Sequence, residues 1–267
     1  MNKRLMLVTL TLVERRKLLG WTIFASILLM IYALSVYPSF RDNTEINRFV
    51  DALPETMKSF FSISGNLYGT GAGYLNAELY TMMVPIVVMI VGLALASGTI
   101  AGEEDSGRMD LLMSGPITRA QMYLERAAGT ITAIALVAIA LMLMIMVGNV
   151  VINLDIPLSH AAGASFMVWL YGVYYAGMAM AIAGFTGMTG VARGVTSAVA
   201  IGSYLMQSLS GIEPSLERFA RFTAYHHYMA HTPLVNGVDW GDASMLIVGS
   251  AVWFALGLAG FSRRDLR

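Results

Sequence analysis

Few residues in this sequence have the type and spacing that chemistry requires. His226, His227 and His231 form a histidine cluster, and His227 and His231 share a face if that stretch is helical, which would suit a metal ion. No His-Glu-x-x-His pattern accompanies them, so ordinary interfacial polar residues are the stronger reading and no metal is assigned. Nucleotide binding fails on the lysines. A phosphate-cradling loop needs Gly-Lys followed by Ser or Thr, and Lys3, Lys17 and Lys58 all lack a preceding glycine. Gly184, Gly187 and Gly190 have the spacing of a glycine-rich loop, but without a strand before them they read as a tight turn. No nucleophile elbow or serine–histidine arrangement marks a hydrolase, and the absence of cysteine excludes thiolate chemistry. The chain therefore reads as a non-enzyme, with no catalytic residue and no cofactor of its own.

What stands out instead is one charged stretch, Gly102-Glu103-Glu104-Asp105-Ser106-Gly107-Arg108-Met109-Asp110-Leu111-Leu112-Met113-Ser114-Gly115-Pro116-Ile117-Thr118-Arg119. Three acids lead, Gly107 permits a turn, residues 109–114 suit a short helix, and Gly115-Pro116 ends it. Thr118 followed by Gln121 fits a capping box that opens a long helix.

The elements that hold this stretch are read from composition. Of 267 residues 57% are hydrophobic and only 13% charged, where soluble domains carry roughly a quarter charged, so the chain belongs in lipid. Seventeen basic and seventeen acidic side chains cancel, which excludes a strongly basic surface for nucleic acid. Six runs free of Asp, Glu, Lys and Arg are long enough to cross a bilayer: 18–37, 79–101, 127–152, 161–185, 194–211 and 243–261. The expectation is one all-α membrane domain over 1–267. With both termini inside, about 12 of the 17 cations lie on the cytoplasmic side, which fixes the orientation in the cell membrane.

Residues 1–17 predict a helix along the inner surface, and residues 46–60 an outer helix capped by Thr44 and bent at Pro54. Gly65, Gly69, Gly71 and Gly73 predict a flexible link to the second span. None of the six runs holds an ionisable group, which argues against a transporter driven by an ion gradient. Asn149 and Gln207 read as hydrogen-bonding residues between helices. Gly194, Ala198 and Gly202 place small residues every four along the fifth run, suiting close packing with a second copy or within one chain. Tyr171, Tyr174 and Tyr175 suit either an amphipathic route or core packing.

The charged stretch resembles that of the permease subunits of type-2 (ABC-2) export-class ATP-binding-cassette transporters. The similarity rests on Glu103-Glu104, Gly107, Asp110, Leu111-Leu112, Pro116 and Arg119. It extends to Gly73-Tyr74-Leu75-Asn76, to six spans, and to the closing Phe261-Ser262-Arg263-Arg264-Asp265-Leu266. Arg108 stands where the family often has threonine and Asp110 where it has glutamate. The resemblance implies a coupling helix that docks on a separate ATPase subunit holding ATP and Mg, with Glu103, Glu104, Arg108 and Arg119 as contact residues. It also implies a dimer of this chain or a heterodimer with a close relative, a path between spans two and five, and export; the absence of charged residues in the spans favours apolar or amphipathic cargo such as a drug, lipid or peptide. The competing class is a non-transporting membrane scaffold or a membrane enzyme of another kind.

Overall fold

The computed structural model describes residues 6–41, 69–105 and 117–264, with positions 48, 52–54, 57 and 107. Among them there is no strand. The helices are α1 (Met6–Glu14), α2 (Arg16–Arg41), α3 (Gly71–Leu75), α4 (Met83–Asp105), α5 (Arg119–Ile152), α6 (Leu158–Thr186), α7 (Thr189–Ser210), α8 (Glu217–Ala220), α9 (Ala224–Met229), α10 (Pro233–Asn236) and α11 (Trp240–Arg263). Local sequence explains their ends. Thr118 and Gln121 form the expected capping box on α5, Asp239 caps α11, and Gly187 ends α6 at φ 66, a left-handed turn that suits glycine.

Five of these helices, α2, α4, α5, α6 and α11, are long and apolar enough to cross a membrane. Six are expected from the sequence. The region of the fifth run is helical in α7, yet Arg193, Thr196, Ser203, Gln207 and Ser208 leave it less apolar than the others. Its faces are inverted relative to a helix in water: Thr196 and Ser203 are buried, while Val199, Ile201, Leu205 and Leu209 face out. Outward apolar side chains also line α2 (Phe24, Leu28, Ile31) and α11 (Met245, Val248, Val252), as a lipid-facing surface requires.

α6 is the hub. It is mostly buried, whereas α2 and α11 are mostly open, and it packs against α4, α5, α7 and α11. Its crossing with α11 is close because Gly184 meets Gly257. A methyl added at Gly184 would lie 2.6 Å from the Gly257 carbonyl oxygen.

The start of α4 is broken where the sequence shows one apolar run. Residues Asn76–Tyr80 form a π-helical turn, and Pro85 lacks the amide that would bond the Thr81 carbonyl. Two tyrosines of α9 supply donors instead. Tyr225 Oη donates to the Thr81 carbonyl (2.6 Å) and Tyr228 Oη to the Tyr80 carbonyl (2.8 Å).

Three local expectations change. Gly71 and Gly73 are buried in α3, with Gly71 packed on the Leu154 backbone too closely for a side chain, so they form no flexible link. Asn149 does not bond another helix; it pins the chain that leaves α5, donating to the Ile156 carbonyl (2.7 Å) and accepting from the Ile156 amide (3.1 Å). The helix expected over 1–17 divides, with α1 ending at Glu14 and α2 beginning at Arg16, and α1 buries Leu7 and Thr11. Gly65 and nearly all of the expected outer helix over 46–60 lie outside the described residues.

Candidate functional site

The C-terminal end of α4 gathers guanidinium groups from four other segments. Arg15, between α1 and α2, reaches the Gly98 carbonyl (3.4 Å), and Arg193 of α7 donates through Nε to Ser97 Oγ (2.8 Å). Arg126 of α5 lies 3.7 Å from Glu103, and Arg264, just past α11, pairs with Glu104. The carboxylates sit on the last turn of α4, where the helix dipole already favours cations nearby. Neither is a solvated loop charge: the Glu103 side chain is 3% exposed and that of Glu104 5%.

Arg126 is the centre of this network and is completely buried. Its Nη1 donates to Thr11 Oγ1 and to Glu14 of α1, both at 3.0 Å. A further tie from α1 comes from the Leu7 amide, which donates to Glu125 (3.0 Å). The contact of Arg126 Nη2 with Glu103 is an ion pair beyond hydrogen-bond length, and Nη2 and Nε make no hydrogen bond. A buried cation of this kind is stable only while its acids stay in place. On the far side of the loop, Arg119 donates to the Arg264 carbonyl (2.6 Å), so both ends of the 103–119 segment are tied to the same C-terminal turn.

Of the residues singled out from the sequence, Glu103, Glu104 and Arg119 are thus brought together, and Gly107 is exposed in a left-handed turn at φ 68. Arg108, Asp110, Leu111, Leu112 and Pro116 lie outside the described residues. Arg126, Glu14, Thr11 and Arg264 were missed as a unit. Arg126 follows Arg119 by seven residues, which puts both on one face of α5, and that spacing was the available signal.

A second feature is an apolar cleft of about 340 Å³ between α4 and α7. Pro85 and Met89 line one wall, Ala200, Tyr204 and Leu205 the other, and Tyr171 and Tyr225 the back. The three candidate tyrosines of α6 differ in their surroundings. Tyr171 reaches this cleft, whereas Tyr175 is fully buried against Tyr171 and Tyr174 stacks edge-on to Trp253 of α11. Tyr174 and Tyr175, consecutive on the helix, still meet edge to face, with ring centroids 5.3 Å apart. Gly194, Ala198 and Gly202 are exposed on α7, and a methyl on either glycine would have nothing within 4 Å. Packing among the described residues does not use them.

At the opposite end of the bundle, Asp242 of α11 bridges two histidines. His227 Nδ1 is 2.8 Å from its Oδ1 and His231 Nδ1 2.7 Å from its Oδ2. His226 turns away to Gln207 of α7 (2.9 Å), so Gln207 does link helices as expected.

No curated protein matches the chain. The family model described as ABC-2 family transporter protein matches residues 10–266, which takes in α4, the charged segment and the C-terminal turn that anchors it. With five helices apolar enough to cross a membrane and no strand among the described residues, this is an all-α, multi-pass membrane protein with the role of a transport permease. On a match across nearly its whole length, the chain belongs to the ABC-2 transporter family.

Proposed function

We propose that this chain is the membrane subunit of an ATP-driven exporter in the plasma membrane, with both termini cytoplasmic, and that a separate ATPase subunit drives it through the segment from Glu103 to Arg119. The observation that carries the proposal is the gathering of Arg15, Arg126, Arg193 and Arg264 around the end of α4. A force on the intervening loop is transmitted at once to α4, α5 and α11, because its two ends are fastened to one another. Glu103 and Glu104 then serve as positioning residues inside the chain. Arg108, Asp110, Leu111, Leu112 and Pro116 are the part offered to the ATPase, which holds ATP and Mg. The loose 3.7 Å contact of Arg126 with Glu103 is where the network has room to tighten when the loop moves.

A second copy or a close relative completes the transporter through the open stripe of Gly194, Ala198 and Gly202 on α7. The cleft beside that stripe has almost purely apolar walls, which favours amphipathic or apolar cargo such as a drug, lipid or peptide.

The test is purification from the native membrane and reconstitution in liposomes. A stoichiometric ATPase is expected. The double variant Glu103→Gln/Glu104→Gln, checked by size-exclusion for a folded chain, should retain the ATPase and hydrolyse ATP without moving cargo. A partner without ATPase activity, or full coupling in the double variant, overturns the proposal.

A further inference from the structure

His231, Asp239 and Asp242 meet at the end of the bundle away from Arg126. At about 1.5 Å per residue, the 24 residues of α11 put this cluster roughly 35 Å from the charged network. We propose that these three side chains bind one divalent transition-metal ion of the zinc class.

The geometry suits an ion. One ligand atom from each residue lies within 4.8 Å of the other two. His231 presents both ring nitrogens to carboxylates, Nδ1 at 2.7 Å from Asp242 and Nε2 at 3.9 Å from Asp239 Oδ2. A tetrahedral ion with bonds near 2.0–2.2 Å holds its ligand atoms roughly 3.3–3.6 Å apart, so side-chain rotation alone makes the room. An imidazole gives one nitrogen to one ion, so the His231 ring turns to direct that nitrogen between the two carboxylates when the ion binds.

The supports are also in place. Asp239 uses Oδ1 to cap α11, accepting from the Asp242 amide (2.9 Å), which leaves Oδ2 turned to His231. His227 holds the other oxygen of Asp242, the arrangement that orients a metal-binding carboxylate from outside. His231 is aimed by a constrained turn. Thr232 is held at φ 42, rare for a β-branched residue, and Asn236 donates to the His231 carbonyl (3.0 Å) and to Thr232 Oγ1 (2.8 Å). His231 and Asp239 are open to solvent, which gives an ion access.

Chemistry selects the class of ion. One imidazole with two carboxylates suits zinc and its first-row neighbours over magnesium or calcium, which prefer oxygen alone. Three protein ligands leave a fourth position for water. The bound ion would fasten the turn after α9 to the start of α11.

The experiment is calorimetric titration of Zn²⁺ into the full chain in detergent, stripped with chelator and freed of any affinity tag. With no cysteine and four histidines in the sequence, background binding is low. One ion per chain is expected, undisturbed by excess Mg²⁺. His231→Ala and Asp239→Asn should each weaken binding at least tenfold. Asparagine caps a helix as well as aspartate, so Asp239→Asn removes the ligand charge while the fold is kept, as circular dichroism will verify. His226→Ala should leave binding unchanged. Absence of stoichiometric Zn²⁺ binding, displacement by Mg²⁺, or unaltered affinity in Asp239→Asn overturns the proposal.

Discussion

The two ends of α4 solve the same problem, polar groups in an apolar protein, by opposite means. At its start, a π turn and Pro85 leave backbone carbonyls without partners, and the neutral hydroxyls of Tyr225 and Tyr228 satisfy them. At its finish, full charges are buried and balanced against one another, with Arg126 shared between Glu14 and Glu103. Neutral bonds of this kind contribute independently and modestly, whereas a buried ion network stands or falls as a unit. The charged end is therefore the one suited to switching, and the tyrosine end the one suited to holding still.

The largest effect should come from Arg126→Met. It removes the buried cation shared by Glu103 and Glu14 and releases α1, at a cost of about 3–5 kcal/mol, the range for breaking a buried pair from one side. Thermal unfolding in detergent measures it. Adding Glu103→Gln to Arg126→Met should recover a substantial part of the loss, since a neutral amide no longer needs the cation. A double variant no more stable than the single one would mean that packing, not charge, holds this end.

A smaller loss is expected at the other end. Tyr225→Phe leaves the Thr81 carbonyl buried and unbonded, at about 1–2 kcal/mol. Its cause can be isolated. Pro85→Ala restores an amide at the position where the helix would supply one, so Tyr225→Phe should cost less in that background than alone. Equal costs would show that the hydroxyl is not standing in for the missing donor.

The two ends also differ in how far the sequence revealed them. Glu103-Glu104 closing an apolar run was legible because acids cannot continue into lipid. Their partners were not, because Arg126, Glu14 and Arg264 are distant along the chain and only packing decides which acid each arginine meets. The capping box at Thr118 was legible since it is local in sequence. The break at Asn76–Tyr80 straddles the edge of the apolar run that begins at residue 79, and Pro85 is its one mark inside that run, because hydropathy records composition and not hydrogen bonding. α7 shows the same limit: its length was readable, but its inward polar face depends on neighbours that composition does not name.

The smallest effect on the chain itself should come from α7, which tests whether the contrast between the ends needs a second copy to matter. Ala198→Leu adds bulk to an exposed face between Gly194 and Gly202, where added methyl groups at either glycine meet nothing. Stability of the single chain should change by less than about 0.5 kcal/mol, as for ordinary surface positions. Association should respond instead, because close helix approach requires small residues along the whole stripe and one leucine holds the backbones apart. Single-molecule photobleaching in liposomes reads this directly, as a shift from two steps to one. Paired chains persisting in Ala198→Leu would move the contact to another face of the bundle and leave the stripe of α7 without a partner.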